Sequence, residues 1–365
     1  MVEVNWKGIA RTAKALGGEG TNYLLLKTKQ QIDEDTLDAA LPIVEEGPDN
    51  GGWFLGPQGW MVLVEGLDEQ VNPWIEQLAA RLTAAGIEGT LTGASVAVPP
   101  MWTRGDWDSR GLYASIAYAA EARSSSVEAG DPGADRAAQR SVDLGLSWLT
   151  AHGGKVMVST GMMVRTAFWV PAEAARGIMI QDVEQLGSAL SMNFNKAGLE
   201  YSHLYVQPWG LELGRTTADY RWRDIVGDFR ATLVSAASLG QVSYASVAHR
   251  DLGALWCTDT PGSEQYAGSA YRDHPELWSE FVLEPCGVQI LTNRHLEAAN
   301  DLSAWQTTRL DDTHVLVQAR DLEPWYATRR WSYELLDPQL MAQARDDFGA
   351  MILTPERARE VGLTA

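Results

Sequence analysis

The sequence predicts an α+β fold of ferredoxin-like (split βαβ) units, with antiparallel sheets and helices packed on one face. Apolar runs of strand length recur as pairs around Gly- and Pro-rich turns, as at Gly56-Pro57-Gln58-Gly59, which is typical of hairpins. Amphipathic segments of helix length alternate with these hairpins. The first hundred residues follow the order strand, helix, hairpin, helix, strand, which is that of a split βαβ unit.

Residues 1–100 form the first predicted unit. Its strands are expected at 23–27 and 90–98, its hairpin at 53–55 and 60–64, and its helices at 33–44 and 68–85. Gly86 is the expected stop of the second helix, and Pro99-Pro100 marks the boundary.

Residues 101–220 and 221–365 form the second and third predicted units. In the second we expect a strand at 111–120, a loop at 123–135, helices at 136–149 and 181–197, and hairpins at 155–170 and 201–217. In the third we expect a helix at 222–237 and a strand at 242–249.

The third predicted unit contains a repeated element. CGVQILTNRHLEAANDL, from Cys286, reads as a strand followed by a helix, and FGAMILTPERAREVGL, from Phe348, repeats that order. Thr292 and Thr354 stand where a helix N-cap is expected, and Pro355 stands at the first helical position. After the first copy, Val315 and Val317 alternate as in a strand.

Length and composition indicate a soluble globular protein of two or three domains. The chain has 365 residues, 45% of them hydrophobic, and a mean hydropathy of -0.19. Cys257 and Cys286 stand apart from any metal-binding motif, so free buried thiols in a reducing compartment are expected. Because no long apolar stretch or signal peptide is evident, we expect a cytoplasmic protein with no membrane partner.

Charge argues against a nucleic-acid partner. The chain carries 48 acidic and 29 basic residues, a net charge of -19, which repels polyanions and attracts a basic protein. An acidic surface that serves only solubility remains the alternative. Fifteen Trp residues fit either a binding protein or a Trp-rich core.

One acidic segment is the candidate protein interface. Between Gln30 and Asn50 the chain has seven acids and no Lys or Arg, and an aromatic residue follows that could anchor a partner. The candidate interface residues are Asp33, Glu34, Asp35, Asp38, Glu45, Glu46, Asp49 and Trp53. Helix-start chemistry explains part of the cluster, and a solvated face is the alternative.

Catalytic motifs fail on spacing or are missing. His249-Arg250-Asp251-Leu252 and Asp347-Phe348-Gly349 look like kinase motifs, but nearly a hundred residues separate them and the expected Asn is Trp256. The six His residues are scattered, so no metal or cofactor is expected. A hydrolase site using His249, Asp251 and a distant acid is an open alternative to a protein without catalysis.

The repeated element carries a family resemblance. Gly287-Val288-Gln289-Ile290-Leu291-Thr292, the following helix and the strand ending at Gln318-Ala319 resemble the C-terminal part of bacterial immunity proteins associated with type VI secretion and other polymorphic toxins. Val242–Val247 resembles the strand that precedes this segment in that family. The chain departs from the family after Ala319, where a Gly/Pro turn is usual and Arg320-Asp321 stands instead.

The resemblance implies a protein that binds and neutralises a cognate toxin in the cytoplasm without catalysis. It transfers no interface residue, since such interfaces differ between pairs. A phage or particle assembly protein, acting through self-association of its hairpins, is the alternative.

Overall fold

The structure is a computed structural model, and it describes most of the chain. The described residues are 1–15, 21–44, 47–56, 59–94, 111–118, 132–152, 156–159, 167–195, 200–207, 210–217, 219–240, 242–249, 274–328 and 336–363. The predicted Pro99-Pro100 boundary, residues 123–131 of the loop predicted at 123–135, Glu45, Glu46, Asp251 and Cys257 lie outside them, and residues 132–135 of that loop are helical. The α+β class is confirmed by two sheets with helices.

The chain divides into two compact units, whereas the sequence predicted three segments. Unit 1 comprises residues 1–103 and 157–170, and unit 2 comprises residues 104–156 and 171–365. The boundary expected at residue 220 falls inside unit 2, because the strand at 112–118 pairs on one side with residues before 220 and on the other with residues after it.

Unit 1 has a five-stranded sheet and three helices. The strands are β1 (Val2–Asn5), β2 (Thr21–Lys27), β3 (Asp49–Gly56), β4 (Gly59–Glu65) and β5 (Gly89–Gly93), and the helices are α1 (Trp6–Ala15), α2 (Glu34–Ala39) and α3 (Asp68–Ala84). The sheet order is β1-β5-β2-β4-β3. β1 runs parallel to β5, and all other neighbours are antiparallel.

Sequence explains where the helices of unit 1 begin and end. Asp33 caps α2, its carboxylate accepting the Thr36 amide at 2.8 Å. The sequence predicted a helix at 33–44 interrupted by Pro42, and α2 does stop before this proline, since the residue before a proline disfavours helical dihedrals. α3 buries Val71, Trp74, Ile75, Leu78 and Leu82 on one face, and Gly86 follows it with φ 79°.

Unit 2 is built on a longer antiparallel sheet. Its strands are β6 (Leu112–Tyr118), β9 (Ala189–Asn195), β10 (Glu200–Gln207), β11 (Gly210–Thr216), β12 (Val242–His249), β13 (Val288–Thr292), β14 (Trp305–Arg309) and β15 (His314–Ala319). Two short strands, β7 (Val156–Ser159) and β8 (Ala167–Val170), precede β9 in the chain. Within unit 2 the order is β14-β15-β13-β12-β6-β11-β10-β9.

The helices of unit 2 cover the middle of this sheet. They are α4 (Pro132–Ala151), α5 (Ala172–Leu186), α6 (Trp222–Ser238), α7 (Asn293–Ala298), α8 (Glu323–Tyr326), α9 (Pro338–Phe348) and α10 (Pro355–Glu360). Every residue of β6 and β12 is buried, so both faces of the sheet are covered there. α6 packs against these strands through Ile225, Phe229 and Leu233.

The segment predicted as a single helix at 181–197 contains the end of a helix and a strand. The sequence predicted helix over 181–197, but α5 ends at Gly187, whose φ of 74° is left-handed, and β9 follows. β9 pairs with β10, with Asn193 opposite Ser202.

The two copies of the repeated element differ. The first forms β13 and α7 as predicted, with the Thr292 amide donating to His295 Nδ1 at 3.0 Å. In the second, Thr354 caps α10 as predicted, its hydroxyl accepting the Arg357 amide at 3.3 Å. No second strand forms among the described residues there, where a short turn and a single bridge between Val282 and Ile352 replace it.

Candidate functional site

The predicted interface acids of unit 1 lie on an exposed surface. Asp33, Glu34, Asp35 and Asp38 are exposed at the two ends of α2, and Asp49 is exposed at the start of β3. Hydrogen bonds from the Thr36 side chain and amide hold the pKa of Asp33 below its usual 3.8, so its carboxylate is charged at neutral pH.

Trp53 is not part of this surface. It is 4% exposed and packs in the core of unit 1, on the sheet face that α2 and α3 cover. The sequence argument placed Trp53 beside the acids because it follows them closely, but side chains alternate across a strand and this one points inward. The prediction that Trp53 is an exposed aromatic anchor is therefore wrong.

Unit 1 does expose other large apolar side chains. The loop after α2 exposes Ile43 by 93% and Val44 by 44%, and Leu67, the N-cap residue of α3, is 69% exposed. Clusters of large apolar side chains with this degree of exposure are uncommon outside binding surfaces.

Contacts within unit 1 bring the loop and Leu67 to one end of the unit. The Gly47 amide donates to the Val44 carbonyl at 3.1 Å. A Cβ on Gly66 would stand 2.9 Å from Pro48, so the loop lies against the residue before Leu67. The indole of Trp74 on α3 also donates to the Pro42 carbonyl at 3.3 Å.

The start of α3 adds two acids next to Leu67. Asp68 and Glu69 are exposed in its first turn, where they complement the positive helix terminus. We define the acidic end of unit 1 as the exposed acids of α2, β3 and the start of α3 together with three exposed apolar residues: Asp33, Glu34, Asp35, Asp38, Asp49, Asp68, Glu69, Ile43, Val44 and Leu67. This surface extends along α3, because the Gln30 side chain, close to Asp33 in the chain, donates to the Gly86 carbonyl at 3.2 Å beyond the last turn of the helix.

Positive charge is nearly absent from the acidic end. Between Lys29 and Arg81 the sequence contains no Lys or Arg. Arg81 is committed to α2, because its guanidinium donates to the carbonyls of Ala39 and Ala40 at 2.8 and 3.0 Å. The described residues 30–80 therefore expose acids and apolar side chains without a Lys or Arg among them.

A cleft of about 200 Å³ opens in unit 2 beside the end of α4. Its polar lining includes His152, Asn193, Ser202, Arg215 and Thr216. Asn193, Ser202 and Arg215 form a row across β9, β10 and β11, because they are cross-strand partners.

The polar groups of the cleft largely serve the end of α4. His152 Nδ1 bonds the Trp148 carbonyl at 2.7 Å, and the Asn193 amide donates to the Leu149 carbonyl at 3.3 Å, which satisfies carbonyls of the last helical turn. Arg215 Nη1 lies 3.0 Å from His152 Nε2.

An acid completes this network. Burial raises the pKa of Asp228, but contacts with His152 at 3.2 Å and with the Trp148 indole at 2.8 Å, together with the charge of Arg215, outweigh it and keep the pKa below 3.8. The network is thus a charged helix cap, and sequence reasoning missed it because its members come from four separate segments.

The described residues of the kinase-like motifs make contacts within the fold. His249 is 1% exposed and its Nε2 contacts the Trp325 carbonyl at 3.1 Å. Asp347 Oδ2 accepts the Trp305 indole at 2.9 Å, and Phe348 packs edge-on against Trp305 at 4.9 Å. Asp251, the other proposed hydrolase residue, lies outside the described residues.

Other candidate groups also have structural surroundings. Each of the six His residues has a hydrogen-bonding or ionic partner. Cys286 is buried, which raises the pKa of its thiol to about 12. Asp311 and Asp312 lie in the turn between β14 and β15, where the Asp311 carboxylate accepts the Thr313 amide at 2.7 Å.

In the described part of the chain, no group of three or more His, Cys, Asp or Glu side chains is placed to hold a metal ion. No described helix combines the length and apolarity needed to cross a bilayer.

Comparisons with known proteins give one structural likeness to report. No protein-family model matches the chain, and no curated protein matches it. Among solved structures, the chain is similar to the Pseudomonas aeruginosa T6SS protein PA0821, with 13% identity, a TM-score of 0.39, and coverage of 66% of this chain and 73% of the other. So loose an overlap supports no argument about function.

Proposed function

We propose that this chain is a non-catalytic, immunity-type inhibitor that neutralises a cognate toxin in the cytoplasm by direct contact. The observation that carries the proposal is the acidic end of unit 1, which exposes Ile43, Val44 and Leu67 together with seven carboxylates. The resemblance around Gly287–Thr292 to immunity proteins supports the toxin as the kind of partner.

The composition of the acidic end fits a macromolecular partner with a basic surface. Buried apolar contacts at the centre of an interface supply most of the affinity, and a charged rim supplies specificity and speed of encounter. Ile43 and Leu67 would fill the centre. The surrounding carboxylates would face Lys and Arg residues of the partner, including those with which a toxin grips an anionic substrate.

Co-expression with neighbouring gene products tests the proposal. Each protein encoded beside this gene is produced in bacteria alone and together with this chain, and growth and co-purification are measured. We expect one neighbour to arrest growth alone and to be tolerated and co-purified with the chain. If no neighbour is both toxic and bound, or if a toxic neighbour is neutralised without binding, the proposal is wrong.

Two variants place the interface. Ile43→Asp with Leu67→Asp should abolish co-purification and protection, because charge replaces the apolar centre. The matched control is Leu239→Asp with Val361→Asp, which changes two exposed apolar residues of unit 2 and should leave both readouts intact. Equal loss in both double variants would contradict this placement.

We further propose that residues 21–93 form a split βαβ unit. The chain order β2-α2-β3-β4-α3-β5 and the antiparallel sheet order β5-β2-β4-β3 support it. Cross-strand proton contacts measured by NMR on the full chain check the order. Contacts between β2 and β3 as direct neighbours would contradict it.

A further inference from the structure

We propose that two copies of this chain associate through the open edge of β14, pairing their β14 strands antiparallel about a two-fold axis at Thr307. β14 ends the strand order of its sheet, and no described strand pairs with its outer edge. An open edge presents unpaired backbone groups that bind another strand, and proteins usually block such edges.

This edge lacks the proline, lysine and bulge that usually block one, and Arg309 is its single charged residue. Gln306, Thr307, Thr308 and Arg309 are exposed on both faces of the strand, and its pairing with β15 continues through all five residues without a bulge. The strand contains no Pro or Lys, the residues that commonly protect an edge.

The hydrogen-bond register shows which backbone groups point outward. The Leu310 amide donates to the His314 carbonyl at 2.9 Å, and these residues continue the β14–β15 register. In an antiparallel pair, inward and outward residues alternate, so Gln306 and Thr308 also bond β15. Thr307 and Arg309 therefore direct their amides and carbonyls away from the sheet.

The other side of β15 confirms this alternation. The Ala319 amide donates to the Gly287 carbonyl at 2.8 Å, which assigns the odd-numbered residues of β15 to β13. The partner of Thr307 in the β14–β15 register is Val317, whose backbone bonds are made to β13. The outward groups of Thr307 are thus not used by β15.

One register of self-pairing matches the outward groups. About an axis at Thr307, each Thr307 amide donates to the other Thr307 carbonyl, and each Arg309 amide donates to the Trp305 carbonyl of the second copy. The Trp305 amide is not required, and it already donates to the Leu302 carbonyl at 3.0 Å. An axis at Arg309 would place two Arg residues opposite each other, and an axis at Trp305 would need its occupied amide.

Side chains suit the same register. Thr307 would face Thr307, and Gln306 would face Thr308, so no like charges stand opposite each other and a Thr pair forms across the strands. The strand is fixed at both ends, because the Trp305 indole bonds Asp347 at 2.9 Å and the Arg309 guanidinium bonds the Asn293 side chain at 2.9 Å. Because the strand is already held in place, pairing costs little further conformational entropy.

A two-fold contact closes on itself, so the assembly stops at a dimer. Only one strand per copy takes part, so the dimer is weak, and the net charge of -19 on each copy opposes it. Added salt screens this repulsion and should therefore strengthen the dimer.

Sedimentation of the full chain between about 5 and 500 µM tests the proposal. We expect a reversible monomer–dimer equilibrium that shifts towards the dimer as NaCl rises from about 50 to 300 mM. Thr307→Pro should weaken the dimer roughly 10- to 100-fold, because it removes an outward amide from each copy while sparing the bonds to β15. Monomers throughout, larger oligomers, or a Thr307→Pro dimer of unchanged strength would overturn the proposal.

A second pair of variants decides the matter if Thr307→Pro does not fold. Thr307→Cys should give a disulfide-linked dimer on mild oxidation, since the axis brings the two residues opposite each other. Thr308→Cys should not, because Thr308 faces Gln306 of the second copy. A link in both variants, or in neither, contradicts an axis at Thr307, and the unmodified chain gives the background.

Discussion

Replacing Asp182 by Asn should stabilise unit 2 at alkaline pH and much less at acid pH. Asp182 lies on α5, is 8% exposed, and its Oδ2 is buried without a hydrogen-bond partner among the described residues. Burial raises the pKa of its carboxyl from 3.8 to about 7, because a buried carboxylate loses its hydration.

The pKa shift sets the size and direction of the effect. A group with a raised folded-state pKa contributes stability fully below pH 3.8, and this contribution is lost as pH rises through about 7. The complete shift corresponds to about 4 kcal/mol, since one pKa unit is worth about 1.4 kcal/mol. Asn does not ionise, so the gap in unfolding free energy between Asp182→Asn and the unmodified chain should widen by about 3 kcal/mol between pH 5 and pH 8.

Urea unfolding at these two pH values, followed by circular dichroism, measures the gap. Glu184→Gln, which neutralises an exposed acid two residues away on the same helix, is the matched control and should change little at either pH. A gap that is the same at pH 5 and pH 8, or an Asn variant that is less stable at pH 8, would refute the reasoning about Asp182.

Three further predictions concern unit 2. Burial lowers the pKa of His295 from 6.5 to about 4, so about 3 kcal/mol of stability should be lost as pH falls from 6.5 to 4, and His295→Gln should flatten this loss in acid titrations. Asp347→Ala should cost about 2–3 kcal/mol in urea unfolding, because the Trp305 indole loses its acceptor, whereas Asp346→Ala should cost under about 0.5. Gly187→Ala should lower stability by about 1 kcal/mol because the φ of Gly187 is 74°. Gly177→Ala, in the interior of α5 with open space around it, should raise stability by about 0.5–1 kcal/mol. The two variants should therefore shift the melting temperature in opposite directions.

Elements with clear turns and regular periods could be predicted from the sequence. The hairpin of β10 and β11, the helix α6 and the strand β12 lie within a residue or two of their expected positions. In each case a turn residue marks the end of the element and the apolar period agrees with its type.

Elements whose apolar pattern is set by tertiary packing could not be predicted from the sequence. β14 buries only Trp305, so its sequence shows no alternation, and it pairs with β15 through the backbone. The sequence prediction placed β9 inside a helix because it did not recognise Gly187 as the end of α5. The second I-L-T copy makes only a single bridge at Ile352, after a short turn at Gly349–Met351 in which Gly349 adopts φ 58°, and the similarity to the first copy could not show this.

The acidic end was half visible in the sequence. Its acids are consecutive enough to be found by counting charges, and the structure exposes those that it describes. Its exposed apolar residues were missed, because Ile43 and Leu67 stand singly in the sequence and their exposure is set by the packing of unit 1. Trp53 was misplaced because strand alternation turns it into the core.

The association rate between this chain and the proposed toxin partner, once the co-expression test identifies it, tests the acidic end most directly when measured over a range of salt concentrations. Reversing Glu34, Asp35, Asp38 and Asp68 to Lys should slow association at least tenfold at low salt and abolish its salt dependence. Reversing the exposed unit 2 acids Glu173, Glu184, Glu297 and Asp346, the same change in net charge, should have a much smaller effect. Equal slowing by both sets would show that overall charge, and not this surface, guides the partner.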